Sequence, residues 1–340
     1  MVELAKPDGG ASRCGQQPVG VQLGMPPRGR VDADRVGLLE HHPVVRRQYT
    51  VPTQMIQYAY QVSRERVYAR RTGLVFVGKT RYGKTTCALA VQQYLLDEFP
   101  RIHVIVVPAR SSLRPTDGHA FRVILESERH VCAARTDPDT LLRNVVSDVE
   151  TALYAKGGDH FVLVLDEVNL FKQQDIVNLL ELSNMLNMRH ITMTVISFGQ
   201  PDVEQLITSL QQQNKHQLLA RFFRRPKSFE GCTSQEMLES VLNYLDEKSK
   251  WPEDSGWSYT EFFFPVAFSH GFRLKNYSEI IWNEMSSALP TLGNGLSMEA
   301  VAMTVEWLYL SLYQNDSESF VLQMDDIQSA IQASDSGWDG

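Results

Sequence analysis

Cysteine is scarce in this chain of 340 residues, and the four it has (Cys14, Cys87, Cys132, Cys232) are scattered. They lack the paired spacing of a disulfide framework or a zinc site, which fits a reducing compartment. Long hydrophobic runs are missing as well. No segment approaches the roughly 18 apolar residues that span a bilayer, and the first thirty residues contain no continuous apolar stretch of signal-peptide type. A soluble, cytoplasmic protein with no membrane partner is expected. Internal repeats are absent. So is any excess of positive charge: the net charge of −7 argues at first sight against a nucleic-acid partner. Its distribution changes that reading. Asp316, Glu318, Asp325, Asp326, Asp335 and Asp339 lie between Asn315 and Gly340 without a single Lys or Arg, so the rest of the chain is near neutral. Such an end reads as a solvated acidic tail, with a docking segment for a basic protein as the alternative.

What the chain does have is a composition for folding, 43% hydrophobic and 21% charged, and one decisive motif. Gly78-Lys79-Thr80-Arg81-Tyr82-Gly83-Lys84-Thr85 matches G-x-x-x-x-G-K-[ST], the loop that wraps nucleotide phosphates. Leu74 to Val77 enters it as a short apolar strand. Thr85 to Phe99 leaves it as a helix with Cys87, Val91, Leu95 and Phe99 on one face. Glycines let the backbone bend round a phosphate, with N–H groups and the helix dipole aimed at it. Lys84 supplies a cation for the β- and γ-phosphates, and the Thr85 hydroxyl is placed for Mg²⁺. Residues 78–86, Thr86 included, are therefore the expected contacts of ATP.

A later apolar strand over Phe161–Leu165 ends in Asp166-Glu167. Ligands of open α/β sheets bind at the carboxyl ends of strands. There Asp166 joins Thr85 as a magnesium residue, and Glu167 polarises an attacking water. The alternative is an N-cap and first-turn acid of the next helix. A strand over Ile191–Phe198 leads to Gly199-Gln200, whose amide is preferred over the Ser197 hydroxyl as a polar group for the γ-phosphate or its water. The segment Lys215–Lys227 holds five cations and no acid. Arg221 is preferred as an arginine acting on a neighbour's γ-phosphate. Arg224 and Arg225 are alternatives, as is a phosphate-backbone patch made by the whole run. Gly271-Phe272-Arg273 opens a later helix, from which Arg273 can swing onto the phosphates.

Along the chain, residues 1–45 are rich in Gly and Pro and poor in aromatics, a flexible arm. Residues 46–228 alternate helices with strands: a helix over 52–71, a strand over 102–107, and helices over 121–131, 139–154 and 175–188. That alternation implies a parallel sheet covered on both faces. After Pro226 the periodicity becomes helical, over 234–248, 259–268, 274–288 and 297–313, which makes 229–314 a helical lid. A short acidic helix is expected near 325–332 within the 315–340 tail.

With these parts in this order, residues 50–290 resemble an AAA+ ATPase, an α/β P-loop core with a small all-helical lid. Within that class the chain is similar to the TnsC/TniB family, regulator ATPases of bacterial transposons, including those that have captured CRISPR guide complexes. The resemblance rests on the phosphate loop, the Asp166-Glu167 pair, the polar strand tip, the Ala220-Arg221-Phe222 box and the lid beginning Gly271-Phe272-Arg273. It implies an ATPase of the bacterial cytoplasm whose ATP-bound, Mg²⁺-dependent subunits form rings or helical filaments round double-stranded DNA. Such an assembly links a target-selector protein to a transposase, and hydrolysis dismantles it. DNA would be held by its backbone, with Arg110, Arg114, Arg122 and Arg129 as candidates. They belong to a stretch, Arg101–Arg135, with six arginines against Asp117, Glu126 and Glu128. The other readings are a helicase-loader-like AAA+ ATPase and a signalling or defence NTPase.

Overall fold

The computed structural model describes residues 35, 37–111, 117–128, 137–289 and 295–335. The chain divides into two compact units, Met1–Glu40 and His41–Gly340, and all the strands among the described residues lie in the second.

Apolar β-branched runs make the centre of that unit. Strands β1 (Gly73–Val77), β2 (His103–Pro108), β3 (His160–Asp166), β4 (Thr192–Gly199) and β5 (Lys227–Ser228) pair in the order β2-β3-β4-β1-β5, every pair parallel. All seven residues of β3 are buried, as a central strand covered on both faces requires. One face carries α2 (Gln54–Tyr68) and α3 (Lys84–Glu98), which bury Ile56, Ala59, Val67, Val91 and Leu95. The other carries α4 (His119–Ser127), α5 (Pro138–Lys156), α6 (Gln173–Asn187), α7 (Val203–Gln212) and α8 (His216–Phe222). Helix ends follow local chemistry. The Thr53 hydroxyl accepts from the Ile56 N–H at 3.2 Å to start α2. Asp137 caps α5 ahead of Pro138, and left-handed Gly157 ends it. A four-residue helix, α1 (Pro43–Arg46), precedes α2 and overlaps the end of the stretch expected to be an arm.

Beyond β5 the chain is helical: α9 (Gln235–Asn243), α10 (Tyr259–Phe263), α11 (Pro265–Ser269), α12 (Ser278–Ala288), α13 (Met298–Leu312) and α14 (Met324–Asp335). Further details differ from expectation. The helix anticipated over 259–268 is two, broken at Phe264, because Pro265 has no N–H to continue it and instead occupies the first position of α11. The acidic end is no solvated tail over 324–335: α14 buries Ile327, Ala330 and Ile331 and packs on α13 and α12. Helix α7 and strand β5 were not anticipated.

Candidate functional site

Register brings the strand tips together. Val77 pairs with Gly199, and Leu165 with Ser197, so the segments after β1, β3 and β4 emerge side by side at the carboxyl edge of the sheet. The Gly78 N–H donates to the Gly199 carbonyl at 3.0 Å, which ties the phosphate loop to the end of β4.

Within the loop, Gly83 has φ 88°, a left-handed conformation that a side chain disfavours, and it precedes the first turn of α3. Lys84 is buried. Its ammonium donates to the Gly78 and Lys79 carbonyls at 3.0 and 2.6 Å. Burial pushes its pKa below the ordinary lysine value, while Glu167, Asp166 and Asp202 pull the other way. The Thr85 hydroxyl donates to Asp166 Oδ2 at 2.6 Å. Asp166 is itself buried, which raises its pKa. The Thr85 hydrogen bond opposes the rise, Glu167 adds to it, and Lys84 lowers it. A hydroxyl and a carboxylate oxygen meeting beside a phosphate loop form the hard-oxygen donor set that suits Mg²⁺. Among the described residues no cluster of three or more His, Cys, Asp or Glu forms a separate metal cage.

Glu167 stands one residue past β3 with φ 57° and ψ 41°. Its Oε2 accepts from Gln200 Nε2 at 2.8 Å. Gln200 is anchored in turn, since its backbone N–H donates to Asn169 Oδ1 at 3.0 Å. Ser197, the other residue weighed for this position, is a buried interior residue of β4, paired with Val75 and Leu165. Asn169 is a residue that sequence reasoning missed. It lies in the short 3₁₀ turn Val168–Leu170 and also donates to Asp202 at 3.3 Å.

Beside the loop, a cavity of about 220 Å³ opens among the segment 47–56, Gly83 and Thr86 of the loop helix, and Val301, Ala302 and Val305 of α13. Tyr82 donates from its hydroxyl to the Gly295 carbonyl at 3.1 Å, and Ser297 donates to the Arg81 carbonyl at 3.0 Å. The C-terminal helices therefore bear directly on the phosphate loop. At the cavity's far wall Glu306 accepts from the Tyr49 hydroxyl at 3.1 Å and pairs with Arg47 at 3.3 Å.

Residues 68–207 match a family model described as an AAA domain. The fold is that of the AAA+ P-loop ATPases. No characterised protein matches the chain by sequence. Solved structures match it in fold. The ORC2 protein of Aeropyrum pernix in its ADPNP–ADP complexes is 13% identical, with a TM-score of 0.53 over 84% of this chain and 68% of that one. Its ADP form is 12% identical, with a TM-score of 0.55 over 84% and 69%. No helix among the described residues is long and apolar enough to cross a membrane.

In this AAA+ frame the arginines lie apart from the loop. Arg221 lies in the last turn of α8, where its guanidinium donates to Asn184 Oδ1 at 2.9 Å. Its carbonyl sits on Gly73, the first residue of β1, where an added Cβ would come within 2.0 Å. The phosphate loop follows the last residue of β1, about 15 Å along the strand. Arg273 is folded onto its own loop. It donates to the Phe268 and Phe272 carbonyls at 2.9 and 2.6 Å and stacks 3.4 Å over the Phe268 ring. Of the DNA candidates, Arg110 pairs with Glu126 at 3.4 Å and Arg122 lies on α4. Arg114 and Arg129 lie outside the described residues.

Proposed function

We propose that this AAA+ protein is an ATP-hydrolysing switch that assembles side by side on double-stranded DNA and regulates transposition. In this reading it links a target-selector protein to a transposase until hydrolysis dismantles the assembly. The observation that carries it is the division of the site between two ends of the sheet. The phosphate loop, Asp166, Glu167 and Gln200 share the carboxyl edge, whereas Arg221 sits at the amino end of β1. A protomer so built grips a nucleotide but leaves the arginine to a neighbour.

Each residue then has a task. The phosphate-loop N–H groups and Lys84 hold the triphosphate, with the base in the cavity against α13. Thr85 and Asp166 are the residues that would hold Mg²⁺, which supplies charge neutralisation at the β- and γ-oxygens. Glu167 orients a water and takes its proton as it attacks the γ-phosphorus, and the Gln200 amide fixes the carboxylate's direction. Arg221 of one protomer stabilises charge on the phosphoryl oxygens of the next. Arg273 leaves the Phe268 ring to touch the phosphates, so that lid position follows nucleotide state. The order of the motifs, as in TnsC-type regulators, supports the assignment to transposition.

Electron microscopy with a slowly hydrolysed ATP analogue and plain duplex DNA tests the reading. Rings or filaments encircling DNA without a helicase are expected. Lone monomers with nucleotide and DNA both in excess would overturn it. Assembly only in the presence of a helicase would favour the loader reading instead.

A further inference from the structure

Four arginines converge on one groove at the amino-terminal edge of the sheet, away from the phosphate loop. Arg66 lies in the last turn of α2, Arg70 and Arg71 follow that helix, and Arg224 follows α8. With Thr72 and Gly73 between them they line a space of about 340 Å³, and no Asp or Glu lines it. Arg70 is engaged: its guanidinium donates to both carboxylate oxygens of Asp159, at 3.0 and 2.7 Å, and to the Thr192 hydroxyl at 3.2 Å. Arg66, Arg71 and Arg224 have no side-chain hydrogen bond or ion pair among the described residues. Like charges gathered round an acid-free groove repel one another until an anion sits among them. The planar fork of a guanidinium matches phosphate oxygens in particular.

Continuity narrows the identity of that anion. Ala220 of α8 lines the groove, and Gly73, which also lines it, bears the Arg221 backbone carbonyl, so the arginines at and after the end of α2 share a surface with the end of α8. Charge along the chain agrees. No Lys or Arg follows Lys275, and residues 276–340 hold ten acids; subtracting their −10 from the net −7 leaves +3 for residues 1–275. The helices of that acidic stretch cover the phosphate loop, through Ser297 on Arg81 and Tyr82 on Gly295. Within the second unit a positive groove thus lies at the amino-terminal edge of the sheet, and the nucleotide site beneath an acidic stretch lies at its carboxyl edge.

We propose that the groove receives the nucleotide phosphates presented by a second copy of this chain, with Arg66 and Arg71 as contacts in trans beside Arg221. The inference rests on the reading that protomers complete one another's sites, and adds to it a pair of residues from a different element. Head-to-tail stacking then sets the positive end of each copy on the acidic nucleotide end of the next.

The test uses the full chain carrying Arg66→Ala and Arg71→Ala together. ATP turnover per protomer should fall about tenfold or more, while a fluorescent ATP analogue binds the dilute variant as it binds wild type. Mixing the double variant with Lys84→Ala subunits, whose groove is intact, should restore part of the turnover. Arg66→Lys with Arg71→Lys, which keeps the charge without the fork, should lose less and guards against misfolding of the alanine variant. Wild-type turnover in both double variants, while an Arg221→Ala and Lys84→Ala mixture still complements, would overturn this inference and leave the parent reading standing. Failure of that second mixture too would sink the parent reading. Unchanged turnover with weaker, less salt-dependent binding of duplex DNA would make the groove a DNA surface and overturn the proposal as well.

Discussion

Glu167 reaches its position through a left-handed backbone, a conformation that costs a non-glycine residue on the order of 1 kcal/mol and is retained where the surroundings hold it. The holding groups are visible: Gln200 on the carboxylate, and Asn169 on the Gln200 backbone. Glu167→Gln should therefore bind ATP normally and hydrolyse it at least ~100-fold more slowly, leaving long-lived assemblies detectable by light scattering. Rapid disassembly at the wild-type rate would remove Glu167 from its role. Gln200→Ala should lower kcat roughly tenfold with little change in nucleotide affinity, because it loosens the base rather than the grip. A second residue predicts a pH effect. His42 is fully buried amid the rings of Trp251, Tyr259, Phe262 and Phe263, and burial pushes its pKa down to about 3. The folded state thus disfavours a proton that the unfolded chain accepts near pH 6.5. The stability this represents is complete above pH 6.5 and falls as pH drops toward 3, by up to about 1.4 kcal/mol per pH unit. Denaturant melts of His42→Asn, which keeps an acceptor for the Val44 N–H, should show a shallower loss between pH 6 and 4 than wild type. Equal slopes would rule His42 out as the group responsible.

At the scale of elements, Asp246 joins three pieces of the C-terminal helical region. It lies in the wide turn Tyr244–Lys248 after α9. Its carboxylate accepts from the Thr260 hydroxyl at 2.7 Å and from the Leu274 and Lys275 N–H groups at 3.0 and 2.9 Å. The last two immediately follow Arg273. Asp246→Ala strands those buried donors and should cost about 1–3 kcal/mol. Thermal melting should fall, and hydrogen exchange should rise at 272–276 ahead of the α/β core; protection unchanged there would contradict this account. Nothing in the spacing of Asp246 marks it, because its partners are distant in sequence and meet only through packing. The same cause separates the legible from the illegible elsewhere. Strand β3 and helix α3 could be read directly, as a run of buried aliphatics and an i, i+4 stripe carry their own signal. Strand β5 is two residues, Lys227 and Ser228, behind Pro226, with no apolar run; pairing with Phe76 and Val77 alone makes it a strand. Helix α7 does carry a helical stripe, Val203, Leu206, Ile207 and Leu210, but it is short and merges into the cationic segment that follows. The site was legible where one motif holds adjacent residues, as in the phosphate loop and Asp166-Glu167. It was illegible where tertiary packing chooses the partner, as with Asn169, Glu306 and the arginine groove.

For the whole molecule, the cavity beside Gly83 joins parts that are far apart in the chain: the segment 47–56, the phosphate loop and helix α13. A nucleotide seated there contacts all three, so its binding energy appears as stability of the entire second unit. Ligand at one hundred times its Kd stabilises by about 2.7 kcal/mol, enough to raise the melting temperature by several degrees. ATP should produce that shift in wild type and none in Lys84→Ala, measured by calorimetry at a protein concentration low enough to keep the chain monomeric. Hydrogen exchange gives the sharper reading. Residues 47–56, 78–86 and 295–306 should gain protection together on adding ATP, because Tyr82–Gly295, Ser297–Arg81 and Tyr49–Glu306 already tie them into one body. Glu306→Ala cuts the tie between the first and third, and should leave 78–86 protected by ATP while 47–56 stays exchangeable. If wild type gained protection only at 78–86, the base would not lie in this cavity, and lid position would be independent of what the phosphate loop holds.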